Sequence, residues 1–394
     1  MRILVVGAGA YVVGRGTSGF GTVLPALAEA SKQIDIEAVT ICSTSDRGHS
    51  EVARAATEIN RRLGSSLQVT HALLDQALAA GRAGPAFDCA IVSVPDHLHF
   101  EIGARVLEAG LHCLMVKPFV QTMEEGRRLI LLAEKHRLYG AVEFHKRFDE
   151  ANLIVRRMVN DGRLGALAYA TVEYSQRITV PRDVFAGWAS RTNIFQYLGV
   201  HYVDLLHFIT GYQPRRATAA GHRGVLTGLG IDTYDSVHVL LEWDQPRQPQ
   251  QPRQPQGGAG FVSQFAVGWI DPERSSAISD QRYLLVGSDS RIECDQKNRG
   301  LRVVGPGGVE DVNPYFSEYL ARPEEPLEFA GYGYQSIRRF LLDVRDLKQG
   351  RVDPSSLEGK RPTFRSALVS TAVLQAVRES LDAGSGWKDV DAAV

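Results

Sequence analysis

The stretch RILVVGAGAYVVGRGTSGFGTVLPAL, residues 2–27, decides the fold of the N-terminal part of the chain. Its apolar start is typical of a parallel strand buried on both faces, and its end, TVLPAL, has the pattern of a helix. Glycines fill the turn between them, where backbone N–H groups can approach a pyrophosphate. Gly7 and Gly9 occupy the first two positions of GxGxxG, but Val12 stands at the third. We therefore expect a tight phosphate-binding turn followed by an insertion that delays the helix.

Strand and helix patterns alternate from this turn to about residue 145. Four more short apolar strand patterns follow, with helical periodicity between them: IDIEAVTICST (34–44), FDCAIVSV (87–94), LHCLMV (111–116) and YGAVEF (139–144). Such alternation indicates βαβ units, whose crossovers are right-handed. The pattern predicts a doubly wound parallel sheet of five strands, a Rossmann domain that binds a dinucleotide, over residues 1–145.

Residues 146–394 follow a different pattern, in which strand-like segments dominate. Six such segments lie between residues 166 and 305, and helix patterns return at 332–350 and 363–382. This pattern predicts an α+β domain on a mostly antiparallel, open sheet that binds substrate. The Pro/Gln-rich segment at 245–260 cannot form a ladder and is expected to be a mobile loop, with a Pro-rich ligand for a binding domain as the alternative.

The composition excludes several classes of partner. Lys plus Arg (44) nearly balances Asp plus Glu (45), so no basic footprint indicates nucleic acid or an anionic membrane. The four cysteines show no CxxC or Cys/His ligand spacing, which predicts free thiols in a reducing compartment and no metal site. No apolar run approaches the roughly 18 residues that would span a membrane. We therefore expect a cytoplasmic protein with a small-molecule substrate.

The candidate cofactor-binding residues lie where predicted parallel strands end. Ser43 and Thr44 stand where an NAD-selective site places Asp or Glu, and with Arg47 they can accept a 2′-phosphate. This favours NADP, although Asp46 can bind a ribose hydroxyl instead, and the predicted cofactor is NAD or NADP. The other cofactor-binding candidates are Gly7, Gly9, Ala10, Tyr11, Arg15, Thr17, Val94, Pro95, His99 and Lys117.

Two segments resemble the glucose–fructose oxidoreductase/inositol dehydrogenase (Gfo/Idh/MocA) family. They are SVPDHLHFEIGARVLEAGLHCLMVKPF, residues 93–119, and NIFQYLGVHYVDLLHFITG, residues 193–211. The family carries a Pro-Asn-x-x-His segment followed by Glu-Lys-Pro, and later an Asp-x-Gly-x-His-x-x-Asp helix. The resemblance covers essentially the whole chain, including the strand-rich second domain. No single motif decides it, and the order and spacing of the motifs together carry the identification.

This sequence departs from the family pattern at three positions. Asp96 replaces the usual asparagine, Val116 replaces the glutamate before the lysine, and Tyr197 replaces the first aspartate of the helix. Lys117 and His201 match directly. The resemblance therefore assigns the family's catalytic function to Lys117 and His201, and Tyr197 joins them as a candidate.

The chemistry implied by the resemblance suits these three residue types. Oxidation of an alcohol needs a general base near the hydroxyl. His201 is the natural candidate, since the ordinary pKa of histidine is about 6.5, and Tyr197, four residues earlier, can project from the same helix face. Lys117 is expected to orient the substrate and polarise its oxygen. The alternatives are a core histidine, a packing tyrosine and a lysine in a surface turn.

Four further residues are candidates for substrate binding. Lys146 and Arg147 follow the predicted fifth strand, at the edge where open α/β sheets place their ligands, although salt bridges to nearby carboxylates are the alternative. Arg191 and Asn193 precede the helix that carries the tyrosine and the histidine.

The resemblance implies an NAD(P)-dependent oxidoreductase acting on a ring secondary alcohol or ketone of a carbohydrate. Residues 193–211 and the long glycine-rich turn look most like UDP-N-acetylglucosamine 3-dehydrogenases, enzymes of nucleotide-sugar metabolism such as lipopolysaccharide biosynthesis. The alternatives are a free-sugar or inositol/cyclitol dehydrogenase, a deoxysugar ketoreductase, and a non-catalytic cofactor-binding sensor. The resemblance also implies a homodimer or homotetramer assembled through the sheet of the second domain.

Overall fold

The computed structural model describes residues 1–17, 19–43, 48–83, 86–245 and 260–392. The predicted Pro/Gln-rich loop therefore lies, apart from its two end residues, outside the described residues. The chain divides into two compact units. Unit 1 comprises Met1–Val120, Glu124–Phe148 and Tyr315–Ala367, and unit 2 comprises Gln121–Met123, Asp149–Pro314 and Leu368–Val394. The predicted domain boundary at residue 145 stays a prediction.

The regular elements are numbered here in chain order. The described strands are β1 (Arg2–Val6), β2 (Ala38–Ser43), β3 (Val69–Leu73), β4 (Cys89–Val92), β5 (His112–Val116), β6 (Gly140–Glu143), β7 (Leu167–Arg177), β8 (Gln213–His222), β9 (Ser236–Asp244), β10 (Phe261–Asp271), β11 (Ser279–Gly287), β12 (Arg291–Asp295), β13 (Leu301–Gly305), β14 (Gly308–Val312), β15 (Glu318–Leu320), β16 (Glu328–Ala330) and β17 (Lys388–Asp389). The described α-helices are α1 (Ala10–Val13), α2 (Val23–Ala30), α3 (Gly48–Leu63), α4 (Leu74–Ala83), α5 (His99–Glu108), α6 (Met123–Lys135), α7 (Glu150–Asn160), α8 (Val200–Thr210), α9 (Val225–Gly228), α10 (Tyr332–Lys348) and α11 (Phe364–Asp382).

Unit 1 is built on a six-stranded sheet in the order β3-β2-β1-β4-β5-β6, with every pair parallel. This is the strand order of a doubly wound dinucleotide-binding fold, which confirms the predicted fold class. The central strands are continuous apolar runs because helices cover both faces of such a sheet; all four residues of β4, for example, are buried.

The predicted count of five parallel strands was wrong, because β3 also joins the sheet. This strand pairs with β2 at the edge, and four of its five residues are only half-buried. An edge strand has one neighbour and less cover than a central one, so VTHAL lacks the continuous apolar run by which we recognised the other five.

Unit 2 contains a seven-stranded sheet in the order β12-β11-β7-β10-β9-β8-β17. Its pairs are antiparallel except for β7 with β10, which run parallel. One face is buried and the other partly exposed, as the alternation along β9 shows: Val237, Val239, Leu241 and Trp243 are buried, whereas Leu240 is 41% exposed. The mostly antiparallel second sheet is thereby confirmed.

No helix among the described residues is long and apolar enough to cross a membrane. Within the same residues, no group of His, Cys, Asp and Glu side chains is arranged to hold a metal ion.

Candidate active site

The turn after β1 has the close backbone approach that a dinucleotide site needs. Gly7 has φ +112° and donates its N–H to the Cys42 carbonyl oxygen at 2.8 Å. A Cβ on Gly7 would overlap the Ser93 carbonyl oxygen, so only glycine fits between β2 and the end of β4. By contrast, no described atom lies within 4 Å of a Cβ placed on Gly9. This open backbone at the carboxyl edge of the sheet fits a pyrophosphate.

The extra length of the glycine-rich stretch forms a short helix and a closed loop. Helix α1 begins directly after Gly9 and includes Ala10 and Tyr11, two of the predicted cofactor-binding residues. The following loop is held internally, since the Thr17 hydroxyl donates to the Gly14 carbonyl oxygen at 2.8 Å and Thr22 N–H donates to the Tyr11 carbonyl oxygen at 2.7 Å. The main helix, α2, begins only at Val23, as the expected delay requires.

Arg15, at the tip of this loop, lies beside the end of β2. A Cβ placed on Gly48 would lie 2.9 Å from Ser43 Oγ and 3.4 Å from a terminal guanidinium nitrogen of Arg15, so the two side chains border one space. The Arg15 guanidinium also pairs with the Glu51 carboxylate at 2.5 Å, and Ser43 Oγ lies 2.7 Å from His71 Nε2. Ser43 and Arg15 are thus brought together.

Two other predicted cofactor residues, Thr44 and Arg47, lie outside the described residues. The last residue of β2, where NAD and NADP are expected to be distinguished, is Ser43. Its side chain is an uncharged hydroxyl, which does not repel a 2′-phosphate.

His99 ties the loop after β4 to the loop after β5. Its Nδ1 lies 2.7 Å from the Pro118 carbonyl oxygen and 3.1 Å from that of Phe119, and its Nε2 lies 3.0 Å from the Val94 carbonyl oxygen. His99 is 1% exposed. It therefore holds the loop after β4, with Val94 and Pro95, against the loop that carries Lys117.

Lys117 leaves the carboxyl end of β5 and is buried. Burial lowers the pKa of its ammonium to about 8, because desolvation penalises the charged form. The carboxylates of Asp96, on the turn after β4, and Glu143, at the end of β6, act in the opposite direction and raise the pKa of Lys117. The lysine thus retains its charge at neutral pH in a place with little water, where a cation acts strongly on a nearby oxygen.

The predicted Lys146 and Arg147 lie on a 3-10 turn, His145–Phe148, directly after β6. Both are buried, and Arg147 donates to Ser366 Oγ at 2.9 Å. Asp149, one of the salt-bridge partners considered from the sequence, accepts from Arg299 at 2.8 Å. Two buried cations at the same sheet edge as Lys117 suit a polar or anionic ligand.

The second group of predicted residues lies in unit 2, around α8. His201 is in the first turn of α8 and is 4% exposed. Tyr197 lies in the preceding segment, Phe195–Gly199, which is a π-helical turn. The turn between Tyr197 and His201 is thus π-helical rather than α-helical, and the expectation that the two side chains project from one helix face stays a prediction. Single π turns are frequent at functional sites.

Aromatic rings surround Tyr197, which is half-buried. Its ring meets that of Phe185 edge-on, with centroids 4.8 Å apart, and stacks with Trp269 at 6.5 Å. The predicted Asn193 begins this segment: its Oδ1 accepts from Gln196 N–H at 3.0 Å, and its carbonyl oxygen accepts from Tyr197 N–H at 3.0 Å. Aromatic and polar side chains are the residue types that bind a sugar or cyclitol ring, whose C–H faces are apolar.

Arg191 ends the 3-10 turn that precedes this segment and is exposed. Its carbonyl oxygen lies 3.4 Å from the Gln121 side-chain nitrogen. Arg191, Asn193, Tyr197 and His201 therefore follow one another along one segment of unit 2, whereas Lys117, Lys146 and Arg147 belong to unit 1.

Sequence reasoning missed the neighbours contributed by distant strands. The Tyr174 ring, on β7, lies 6.3 Å from that of His201, and burial raises the pKa of Tyr174 to about 12. Trp269 comes from β10. Glu143 was also missed, although one signal was available: a carboxylate that ends a fully buried parallel strand, GAVE, is unusual.

The strand order and the glycine turn place the chain in the class of dinucleotide-binding Rossmann proteins. Family models identify it more closely. Residues 1–144 match the model described as "Oxidoreductase family, NAD-binding Rossmann fold", and residues 153–293 match the "GFO/IDH/MocA C-terminal domain". Together these ranges cover more than half of the chain, which therefore belongs to the GFO/IDH/MocA oxidoreductase family. The NAD-binding description confirms the predicted cofactor class, NAD or NADP.

Known relatives include two inositol dehydrogenases. The chain is 27% identical to scyllo-inositol 2-dehydrogenase (NADP(+)) of Bacillus subtilis over 40% of this chain and 44% of that protein. It is 25% identical to inositol 2-dehydrogenase of Rhizobium meliloti over 49% of this chain and 58% of that protein. The chain thus matches about half the length of these curated relatives.

Among solved structures, scyllo-inositol dehydrogenase from Lactobacillus casei, with bound NAD(H) and scyllo-inositol, matches with a TM-score of 0.68. The match covers 99% of each chain at 15% identity, which supports the fold.

Proposed function

We propose that this protein is an NAD(P)-dependent dehydrogenase that oxidises a ring secondary hydroxyl of a cyclitol or free sugar, or reduces the corresponding ketone. The observation that carries the proposal is Lys117: a lysine buried at the carboxyl edge of the dinucleotide-binding sheet, in a loop fixed by His99. Burial of a lysine costs free energy, so a buried lysine at the carboxyl edge of this sheet favours a catalytic role.

The turn of Gly7 and Gly9 and the loop of Val94 and Pro95 would hold the dinucleotide. The bound dinucleotide would supply hydride transfer to or from the carbon that carries the substrate oxygen. The Lys117 ammonium donates a hydrogen bond to the substrate oxygen and stabilises the negative charge that develops on it. This electrostatic role needs the lysine to be protonated.

The proposal assigns proton transfer to His201, which takes the hydroxyl proton in the oxidative direction and returns it in the reductive direction. Histidine suits both roles, because its ordinary pKa lies near the pH at which most enzymes operate. Tyr197 contributes a ring for packing and a hydroxyl for binding the substrate. Asn193, Arg191, Lys146 and Arg147 are the proposed contacts for the other substrate hydroxyls.

The substrate class favoured here is a cyclitol or free sugar rather than a UDP-linked sugar. The curated relatives named above act on inositols according to their names. They support the alternative of a free-sugar or cyclitol dehydrogenase better than they support a UDP-N-acetylglucosamine 3-dehydrogenase.

A preference for NADP over NAD forms a finer part of the proposal. Ser43 supplies a hydroxyl where an acidic side chain would repel the 2′-phosphate, and the Arg15 guanidinium borders the same space. The Glu51 carboxylate, paired with Arg15, tempers this preference.

The expected homodimer or homotetramer stays part of the proposal. The exposed face of the unit 2 sheet carries apolar side chains that would suit such an interface: Tyr169, Leu240, Val262 and Ile270. Light scattering of the purified protein measures its mass in solution.

The proposed function is tested by incubating the purified protein with NAD or NADP and a panel of substrates, while following absorbance of the reduced nicotinamide. The panel contains myo- and scyllo-inositol, glucose and other free sugars, and UDP-N-acetylglucosamine. Turnover of a cyclitol or free sugar supports the proposal, and turnover of the UDP-sugar alone refutes the proposed substrate class. Cofactor binding without turnover of any compound, unchanged by Lys117→Met, would instead indicate a sensor.

A further inference from the structure

Strand pairing brings a carboxylate beside position 116, where the family motif has a glutamate and this chain does not. That motif carries glutamate directly before the lysine, where this chain has Val116. In the parallel pair of β5 and β6, Val116 lies directly opposite Glu143. Residues in register on adjacent parallel strands are neighbours on one sheet edge. A carboxylate is therefore present beside position 116, although it comes from the next strand.

Glu143 is held in one place with one oxygen available. The residue is 1% exposed, and His145 Nδ1 donates to its Oε2 at 3.0 Å. His145 is in turn packed against the rings of Phe316, at 5.0 Å, and Tyr332, at 5.6 Å. Among the described residues, nothing hydrogen-bonds to Glu143 Oε1. A buried carboxylate oxygen without a hydrogen bond is costly, unless a nearby positive charge offsets the cost.

Lys117 supplies that positive charge. It follows Val116 directly, and its ammonium feels the fields of two carboxylates, Asp96 and Glu143, both of which raise its pKa against the effect of burial. Asp96 is 4% exposed and stands where the family has a neutral asparagine. Relative to the family pattern, the chain has thus lost a carboxylate at position 116 and placed two around the lysine from neighbouring elements.

We propose that Glu143 is a positioning residue that keeps the Lys117 ammonium charged, acting from β6 in place of the glutamate that the family motif has at position 116. His145 orients the carboxylate, and Asp96 supplements it from the turn after β4. The proposed effect of Glu143 on the charge of Lys117 does not depend on the proposed function. Its importance for hydride transfer rests on the proposed function.

The test measures the protonation of Lys117 without requiring turnover. The intact protein is labelled with trace dinitrofluorobenzene at a series of pH values, and the modification of Lys117 is quantified by mass spectrometry relative to the exposed Lys360. The wild-type midpoint is expected near pH 8. In Glu143→Gln the midpoint moves to lower pH, and a displacement of about half a pH unit raises labelling at pH 7 about threefold.

The rescue variant separates charge from packing. Val116→Glu combined with Glu143→Gln restores the carboxylate at the motif position, and its midpoint is expected to return toward that of wild type. A purely structural role for Glu143 would not be rescued in this way. If Glu143→Gln does not fold, Val116→Glu alone serves as the test, because a further carboxylate should move the Lys117 midpoint to higher pH.

An unchanged Lys117 midpoint in folded Glu143→Gln, or in Val116→Glu where that variant replaces it, overturns the proposal. The activity assay is read separately. If the proposed function holds, the alkaline limb of kcat/KM moves to lower pH in Glu143→Gln and returns in the double variant. If the labelling midpoint moves but no substrate is turned over, the proposed function fails and the electrostatic role of Glu143 stands.

Discussion

Lys117 and His201, the two side chains proposed to act on the substrate oxygen, are held by different kinds of element. Lys117 stands at the edge of a parallel sheet, and two buried carboxylates from neighbouring elements act on it. His201 lies in the first turn of α8, against the ring of Tyr174 and three residues before the buried Asp204. Carboxylates help a buried lysine to stay charged, whereas a histidine readily exchanges its proton near neutral pH. The comparison is between the proposed fixed charge in unit 1 and the proposed proton-transfer group in unit 2.

The largest expected effect is that of Lys117→Met, which removes the fixed charge and keeps the length of the side chain. We expect kcat to fall about a thousandfold, since stabilisation of the developing alkoxide is lost. Binding of the reduced cofactor, followed by its fluorescence, should weaken much less than kcat falls, because Lys117 is one predicted cofactor contact among several and the glycine turn is untouched. A loss of activity smaller than tenfold would mean that the charge of Lys117 is not essential for turnover.

His201→Asn is expected to lower kcat about a hundredfold, because asparagine keeps hydrogen-bonding capacity but cannot accept the proton. Steady-state kinetics with the substrate identified by the panel measures this. Tyr197→Phe is the matched control on the same segment and should mainly raise KM, since the ring packing is retained. A larger effect on kcat in Tyr197→Phe than in His201→Asn would transfer the proton role to the tyrosine.

The two environments also differ in how well the sequence predicted them. The parallel edge of unit 1 was largely predictable, because strands that share a direction bring their following residues to one edge, as with Gly7, Ser43 and Lys117. A short apolar run marks each of the central strands, and the edge strand β3, which lacks such a run, was missed.

The surroundings of His201 depend on pairings distant in sequence. Tyr174 comes from β7 and Trp269 from β10, two strands that pair in parallel although they are separated by β8 and β9 in the chain. Strand spacing alone does not predict such a pairing. The sequence NIFQYLG likewise contains no pattern that predicts a π-helical turn. Glu143 belongs to unit 1, but its role depends on the register with Val116, which the sequence left undefined.

The pH dependence of activity tests the fixed charge directly. The pKa of Lys117 is lowered to about 8 by burial, so deprotonation above that pH removes the cation and activity should fall. At pH 9 the loss in kcat/KM is expected to be about tenfold, as one proton is released. Lys117→Arg, whose guanidinium stays charged, should be less active at pH 7 but should lack this alkaline limb. An alkaline limb that persists in Lys117→Arg assigns the titration to another group.

The smallest expected effect belongs to the loop that lengthens the glycine turn, far from the reacting hydroxyl. Arg15→Ala should raise KM for NADP about fivefold and leave KM for NAD unchanged, because the guanidinium borders the space beside Ser43. The effect is modest, because the Arg15 side chain is 44% exposed and its guanidinium already pairs with the Glu51 carboxylate. Glu51→Gln is the matched control, and freeing the arginine should lower KM for NADP. Equal KM values for both cofactors in all three proteins would show that Arg15 does not contact the 2′-phosphate and that the long turn does not discriminate between NAD and NADP.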